Sequence, residues 1–140
     1  MSSAQRPTFT WLGHAAVRVD LPGGEVVLID PFLEGNPSCP PAARRFERVD
    51  LILVSHAHGD HIGRHDRTIA TPATLALMNH RLGEPKRARK AEQLPVAYRE
   101  PFGLGLLTLE LFSAGHVLGS AQLRVTLPDG REYTCRIVDL

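Results

Sequence analysis

Two cysteines, Cys39 and Cys135, are too few and too far apart for a disulfide framework or a Cys-x-x-Cys metal knuckle, so both are expected as reduced thiols. Long apolar runs are missing too. Nothing approaches the roughly 18 apolar residues of a membrane span, and the stretch from Met1 to Pro7 lacks the apolar core of a secretion signal. A cytoplasmic chain with no membrane partner is the expectation. Charge of one sign is also lacking: 16 Lys and Arg against 15 Asp and Glu leave a net +1, which directs the chain neither to nucleic acid nor to a membrane surface. At 140 residues, with 43% apolar content, residues 1–140 are expected to form a single domain with a real core.

What the chain does have is a polar cluster behind an apolar run. Asp50-Leu51-Ile52-Leu53-Val54 reads as a buried strand, and Ser55-His56-Ala57-His58-Gly59-Asp60-His61 follows at its carboxyl end, where α/β sheets place their sites. Alternate residues of an extended segment project to one side, so His56 and His58 can grip one ion. Gly59 is expected to permit a turn that sets Asp60 and His61 against a second position, as a two-metal hydrolase requires. Imidazole and carboxylate suit Zn2+, and accommodate Mn2+ or iron as well.

Before the motif, Thr8 to Leu12, Ala15 to Asp20 and Glu25 to Ile29 read as an antiparallel meander. Asp30-Pro31 ends its third strand, and Asp30 is a candidate acceptor for the second N–H of a ligating imidazole. His14 is expected to cap a turn or pack under the site. Asn36 to Pro41 reads as a surface loop and Ala42 to Arg48 as a short helix. After the motif, Thr68 to Ala70 reads as a strand, and Thr71-Pro72 opens a helix whose apolar positions are Leu75, Leu77, Met78 and Leu82, stopped by Gly83 and Pro85. His65 and His80 are expected to be exposed or to lie outside the ligand set. Arg81, Lys86, Arg87, Arg89 and Lys90 form a basic segment that reads as a solvated connector or as a phosphate contact. It lacks aromatic residues for stacking bases.

Leu94 to Tyr98 and Leu106 to Phe112 read as strands, and the second delivers Ser113-Ala114-Gly115-His116. His56 and His58 need a third ligand to make an open catalytic site, and His116 is the best candidate. Ala121 to Leu127 and Arg131 to Val138 read as a hairpin around Pro128-Asp129-Gly130.

The His-x-His-x-Asp-His motif behind a strand resembles that of the metallo-β-lactamase superfamily. The resemblance implies an α/β (α+β by some schemes) fold with flanking helices. It places His56, His58 and His116 on a first metal, and Asp60 and His61 on a second. Ala114-Gly115-His116-Val117-Leu118-Gly119-Ser120-Ala121-Gln122, with Ala70-Thr71-Pro72-Ala73-Thr74, is similar to the β-CASP nucleases and the DNA-ligase-associated exonucleases. Trp11-Leu12-Gly13-His14-Ala15 and Leu28-Ile29-Asp30-Pro31-Phe32 look instead like the lactonase-like branch. Where the nuclease relatives have Tyr-Thr-Gly-Asp, with a metal-bridging aspartate, this chain has Tyr133-Thr134-Cys135-Arg136. An arginine facing the metals would oppose cation binding, and Asp139 could replace the bridge only by a shift of register. The resemblance thus covers the front half of the αββα sandwich, and the chain is expected to be truncated.

Hydrolysis is the implied reaction, with Asp60 orienting a metal-activated hydroxide and a DNA or RNA phosphodiester as the favoured, exonuclease-like substrate. The alternatives are a small-ester or lactone hydrolase, and a non-catalytic metal-binding or interaction domain. A homo-oligomer or a missing partner segment would complete such a half fold.

Overall fold

A computed structural model describes residues 6–63, 65, 67–83 and 92–136. Alternating and β-branched runs build two sheets. β1 (Thr8–Trp11), β2 (Val17–Asp20) and β3 (Val26–Ile29) form the expected meander, with Trp11 opposite Val17 and Val17 opposite Ile29. β4 (Leu51–Leu53), β5 (Arg67–Ala70) and β6 (Glu92–Pro95) then add parallel strands in the order β1-β2-β3-β4-β5-β6. The second sheet is antiparallel, ordered β10-β9-β8-β7, from β7 (Phe102–Leu104), β8 (Leu107–Ser113), β9 (Ala121–Thr126) and β10 (Glu132–Cys135).

The sheets meet face to face. Val19, Val27, Ile29, Leu53 and Ile69 of the first pack with Leu109, Leu111, Leu123 and Val125 of the second, removing the apolar side of every central strand from water. α1 (Pro72–Leu82) lies on the other side, where Leu75 and Met78 close on Val54 and Ala70. Thr71 caps α1 by accepting from Thr74 N, Pro72 takes the first turn, and Gly83 ends it at φ 65°. No helix among the described residues covers the outer face of the four-stranded sheet. There Arg124 stacks over Phe112 at 4.4 Å and pairs with Glu110 at 2.7 Å.

Three expectations change, and one strand is new. Leu77 is 37% exposed, because Leu75, Met78 and Leu82 define the inward stripe of α1 and Leu77 falls outside it. The strand expected at Leu94 to Tyr98 lies at Glu92–Pro95, since Glu92 and Gln93 pair with Arg67 and Thr68 while Tyr98 has turned away. A 3-10 helix at Pro41–Arg44 replaces the helix expected over 42–48. β7 was not anticipated: Phe102-Gly103-Leu104 is too short to show a pattern.

Candidate metal centre

Parallel strands bring their carboxyl ends to one edge, and Asp30 after β3, Ser55 after β4 and Thr71 after β5 all lie there. The loop after β8 adds His116. Asp30 is fully buried, and its positive φ of 47° turns the chain while its N–H still donates to Leu53 O at 2.9 Å. One carboxylate oxygen accepts from Ser55 N at 2.7 Å. The other accepts the Ser55 hydroxyl and lies 2.8 Å from His61 Nδ1.

This geometry assigns ring protons. The Ser55 hydroxyl spends its proton on the carboxylate, so its oxygen, 2.9 Å from His56 Nδ1, is left as an acceptor. His56 and His61 therefore each donate through Nδ1 and offer Nε2 to a cation. His56 Nε2 lies 3.2 Å from His58 Nδ1. A tetrahedral zinc with bonds of 2.0–2.1 Å to nitrogen has an edge of about 3.3 Å, so the spacing fits two ligands of one ion. The His116 ring stands nearly perpendicular to both, its centroid 4.8 Å from that of His56 and 5.1 Å from that of His58. One ligand atom from each of the three lies within 4.8 Å of the others, so the donor set fits a divalent cation.

Asp60 and His61 are adjacent as well: a carboxylate oxygen of Asp60 lies 3.6 Å from His61 Nε2, on the half-exposed side of the cluster. Asp30, His56 and His61 form a second close group, but both Asp30 oxygens are engaged by Ser55 and His61, which makes Asp30 an orienting acceptor. Burial grades outward. His56 and His61 are sealed in, His58 is half-buried, and His116 and Asp60 reach solvent.

Gly59 plays a smaller part than its position suggested. Its φ is not positive and a Cβ there would meet nothing within 4 Å, so the turn, closed by His61 N to His58 O at 3.0 Å, does not depend on glycine. The His116 loop does use glycines, with Gly115 at φ 70° and Gly119 at 81°. Ser120 Oγ closes that loop by accepting from His116 N at 3.1 Å and Val117 N at 3.2 Å, and Ala121 N donates to Ser55 O at 2.8 Å, joining the two histidine loops. Ser55 and Ser120 were not singled out as site residues, because a serine beside a histidine carries no signal of its own.

Asp139 and the basic residues Lys86, Arg87, Arg89 and Lys90 lie outside the described residues, and Arg81 is exposed on α1. Arg136 was expected to oppose a cation; its guanidinium instead donates to Ala114 O at 3.1 Å. Cys135 points into the core, where burial and then the Asp30 charge push its thiol pKa up. His14 takes the first of its two expected places, a turn. It sits in the β1–β2 turn at φ 51°, its carbonyl accepting from Trp11 Nε1 at 2.6 Å and its exposed ring edge-on to Phe32. His65 is half-buried and His80 exposed.

The family described as the beta-lactamase superfamily domain matches residues 8–120. A UPF0173 metal-dependent hydrolase of Cupriavidus taiwanensis is 46% identical over 80 residues, covering 55% of this chain and 26% of the relative. The chain thus spans about a quarter of the length of the curated relatives it matches. Among solved structures, a HARLDQ-motif mutant of a metallo-beta-lactamase from Cronobacter sakazakii superposes with a TM-score of 0.64 at 26% identity, covering 93% of this chain and 63% of that one. The diiron beta-hydroxylase CmlA from Streptomyces venezuelae shares the fold, with a TM-score of 0.60 at 20% identity over 93% of this chain and 29% of its own.

Proposed function

Because this chain belongs to the beta-lactamase superfamily domain family, we propose that it is a metal-dependent hydrolase, with phosphodiesters of DNA or RNA as its substrates. The observation that carries the reading is the convergence of His56, His58 and His116, from two separate strand ends, within 4.8 Å. Relatives that bear the name metal-dependent hydrolase support hydrolysis. The resemblance of the His116 motif to that of nucleases favours a phosphodiester, and the exposure of Asp60 and His116 is compatible with it.

His56, His58 and His116 would hold one cation, with Asp60 and His61 contributing to a second. Zn2+ suits these donors, and Mn2+ or iron remain compatible with them. When bound, the metal supplies Lewis acidity and a water of lowered pKa. The protein's own groups do the rest. Asp30 and Ser55 hold the two buried imidazoles with Nε2 outward, and the half-exposed Asp60 carboxylate, 3.6 Å from His61 Nε2, would orient the attacking water.

Bound metal per chain, and cleavage of single-stranded DNA, RNA and simple lactones with Zn2+ or Mn2+, test this. Metal-loaded protein is expected to cut nucleic acid, and the double substitution His56→Ala with His58→Ala to abolish both binding and cleavage. Cleavage of lactones alone would transfer the assignment to a small-ester hydrolase. Metal binding without any cleavage would make this a non-catalytic metal-binding domain.

A further inference from the structure

We propose that Thr71 and Thr74, at the amino end of α1, are positioning residues that hold His116 in its ligating place, an inference that rests on the metal reading above. His116 is an exposed residue whose ring meets those of His56 and His58. Its backbone is held from the other side. Thr71 Oγ1 donates to Gly119 O at 2.7 Å and Thr74 Oγ1 donates to the same carbonyl at 3.0 Å, three residues beyond His116.

A helix cap alone does not require this. Capping is complete when Thr74 N donates to Thr71 Oγ1 at 3.2 Å, and it makes no use of either hydroxyl proton. Threonine is also a weak helix former, yet Thr74 sits in the first turn, fully buried. Both hydroxyls converge on one carbonyl at the positive end of the helix, which favours an acceptor there. Gly119 is pressed against them: a Cβ on it would lie 2.6 Å from Thr74 Oγ1, 2.7 Å from Thr74 N and 2.8 Å from Thr71 Oγ1. Ser120, the next residue, carries the constraint to His116 by accepting from its N–H, and Tyr98 holds Ser120 O from the far side at 2.7 Å.

The clamp makes α1 part of the metal centre without touching the metal. Its loss leaves the loop more ways to hold His116 apart from His56 and His58, so the cost falls on metal affinity. Partners that orient a ligand are typically worth about 10- to 100-fold in affinity, and the lower end is expected where one of two hydroxyls is removed.

The test is zinc affinity of the full chain, measured by chelator competition with Zn2+ alone, beside thermal unfolding of the metal-free protein. Thr74→Val, which keeps size and the cap, is expected to lose about tenfold in affinity, and Thr74→Ser to restore it. Leu75→Ala, which opens a cavity under the same helix, is the control: it is expected to lower the unfolding temperature without the affinity loss. Wild-type affinity in Thr74→Val, or an equal affinity loss in Leu75→Ala, would overturn the proposal while leaving the metal centre standing. A wild-type chain that binds no zinc would overturn the metal reading, and the clamp's role with it.

Discussion

Asp30 adopts a left-handed backbone conformation that costs a residue with a Cβ of order 1 kcal/mol, and it does so where its carboxylate can accept from Ser55 N, Ser55 Oγ and His61 Nδ1 together. Replacing it by Asn separates the two roles, because Asn tolerates the same φ but presents an NH2 where the buried network supplies only donors. Asp30→Asn is therefore expected to keep the fold and to lower zinc affinity by about 10- to 100-fold, read by calorimetric titration. Unchanged affinity would show that neither His56 nor His61 needs this carboxylate. Nothing local in the sequence announces the network, since Asp30 lies 25 residues from Ser55 and 31 from His61. Asp30 could be suspected only from Asp-Pro at a strand end, and Ser55 not at all.

At the scale of elements, what could be read depended on how local each element's determinants are. The bounds of α1 were legible because its cap, first-turn proline and terminal glycine all lie within residues 71–83, whereas Leu77 shows that the exact apolar stripe is set by what the helix packs against. The meander and the histidine motif were legible for the same reason. β6 was misplaced because its bounds are set by the ladder to β5, and β7 was missed because its partner β8 alone makes it a strand. Asp50 shows the same dependence on partners at the junction of β3 and β4. It accepts from Val26 N at 2.8 Å and from Arg48, and the Arg48 hydrogen bond first, with the Val26 amide, holds its carboxyl below the usual carboxylate range despite partial desolvation. A carboxyl with a depressed folded pKa contributes stability above its unfolded pKa, and the contribution fades as the pH falls through the folded value. Unfolding followed from about pH 6 down to about pH 2 is thus expected to show wild type losing its advantage over Asp50→Asn only below about pH 4. A gap that stays constant to the acid end would rule out the ionised carboxylate as its source.

The two sheets differ in width, and the difference leaves apolar surface uncovered. Phe9 pairs with Val19 and Trp11 with Val17, and directly opposed residues share a face, so both aromatics point to the side on which Val19 is buried. Yet Phe9 is 41% and Trp11 67% exposed, which means that the six-stranded sheet extends past the cover of the four-stranded one at β1. Among the described residues β1 is also an edge, with one row of N–H and C=O groups facing outward. An aromatic overhang beside an open ladder favours association through the hydrophobic effect, and a charge on that overhang opposes it. Static light scattering of the wild-type chain is expected to show an average mass that exceeds the monomer's and rises with concentration, and Phe9→Lys to shift it back toward the monomer. Arg124, set among Glu110, Phe112 and Glu132 on the polar outer face of the second sheet, offers the contrast: Arg124→Ala is expected to leave the association unchanged. A wild-type chain that stays monomeric at every concentration would show that this exposed overhang does not drive association.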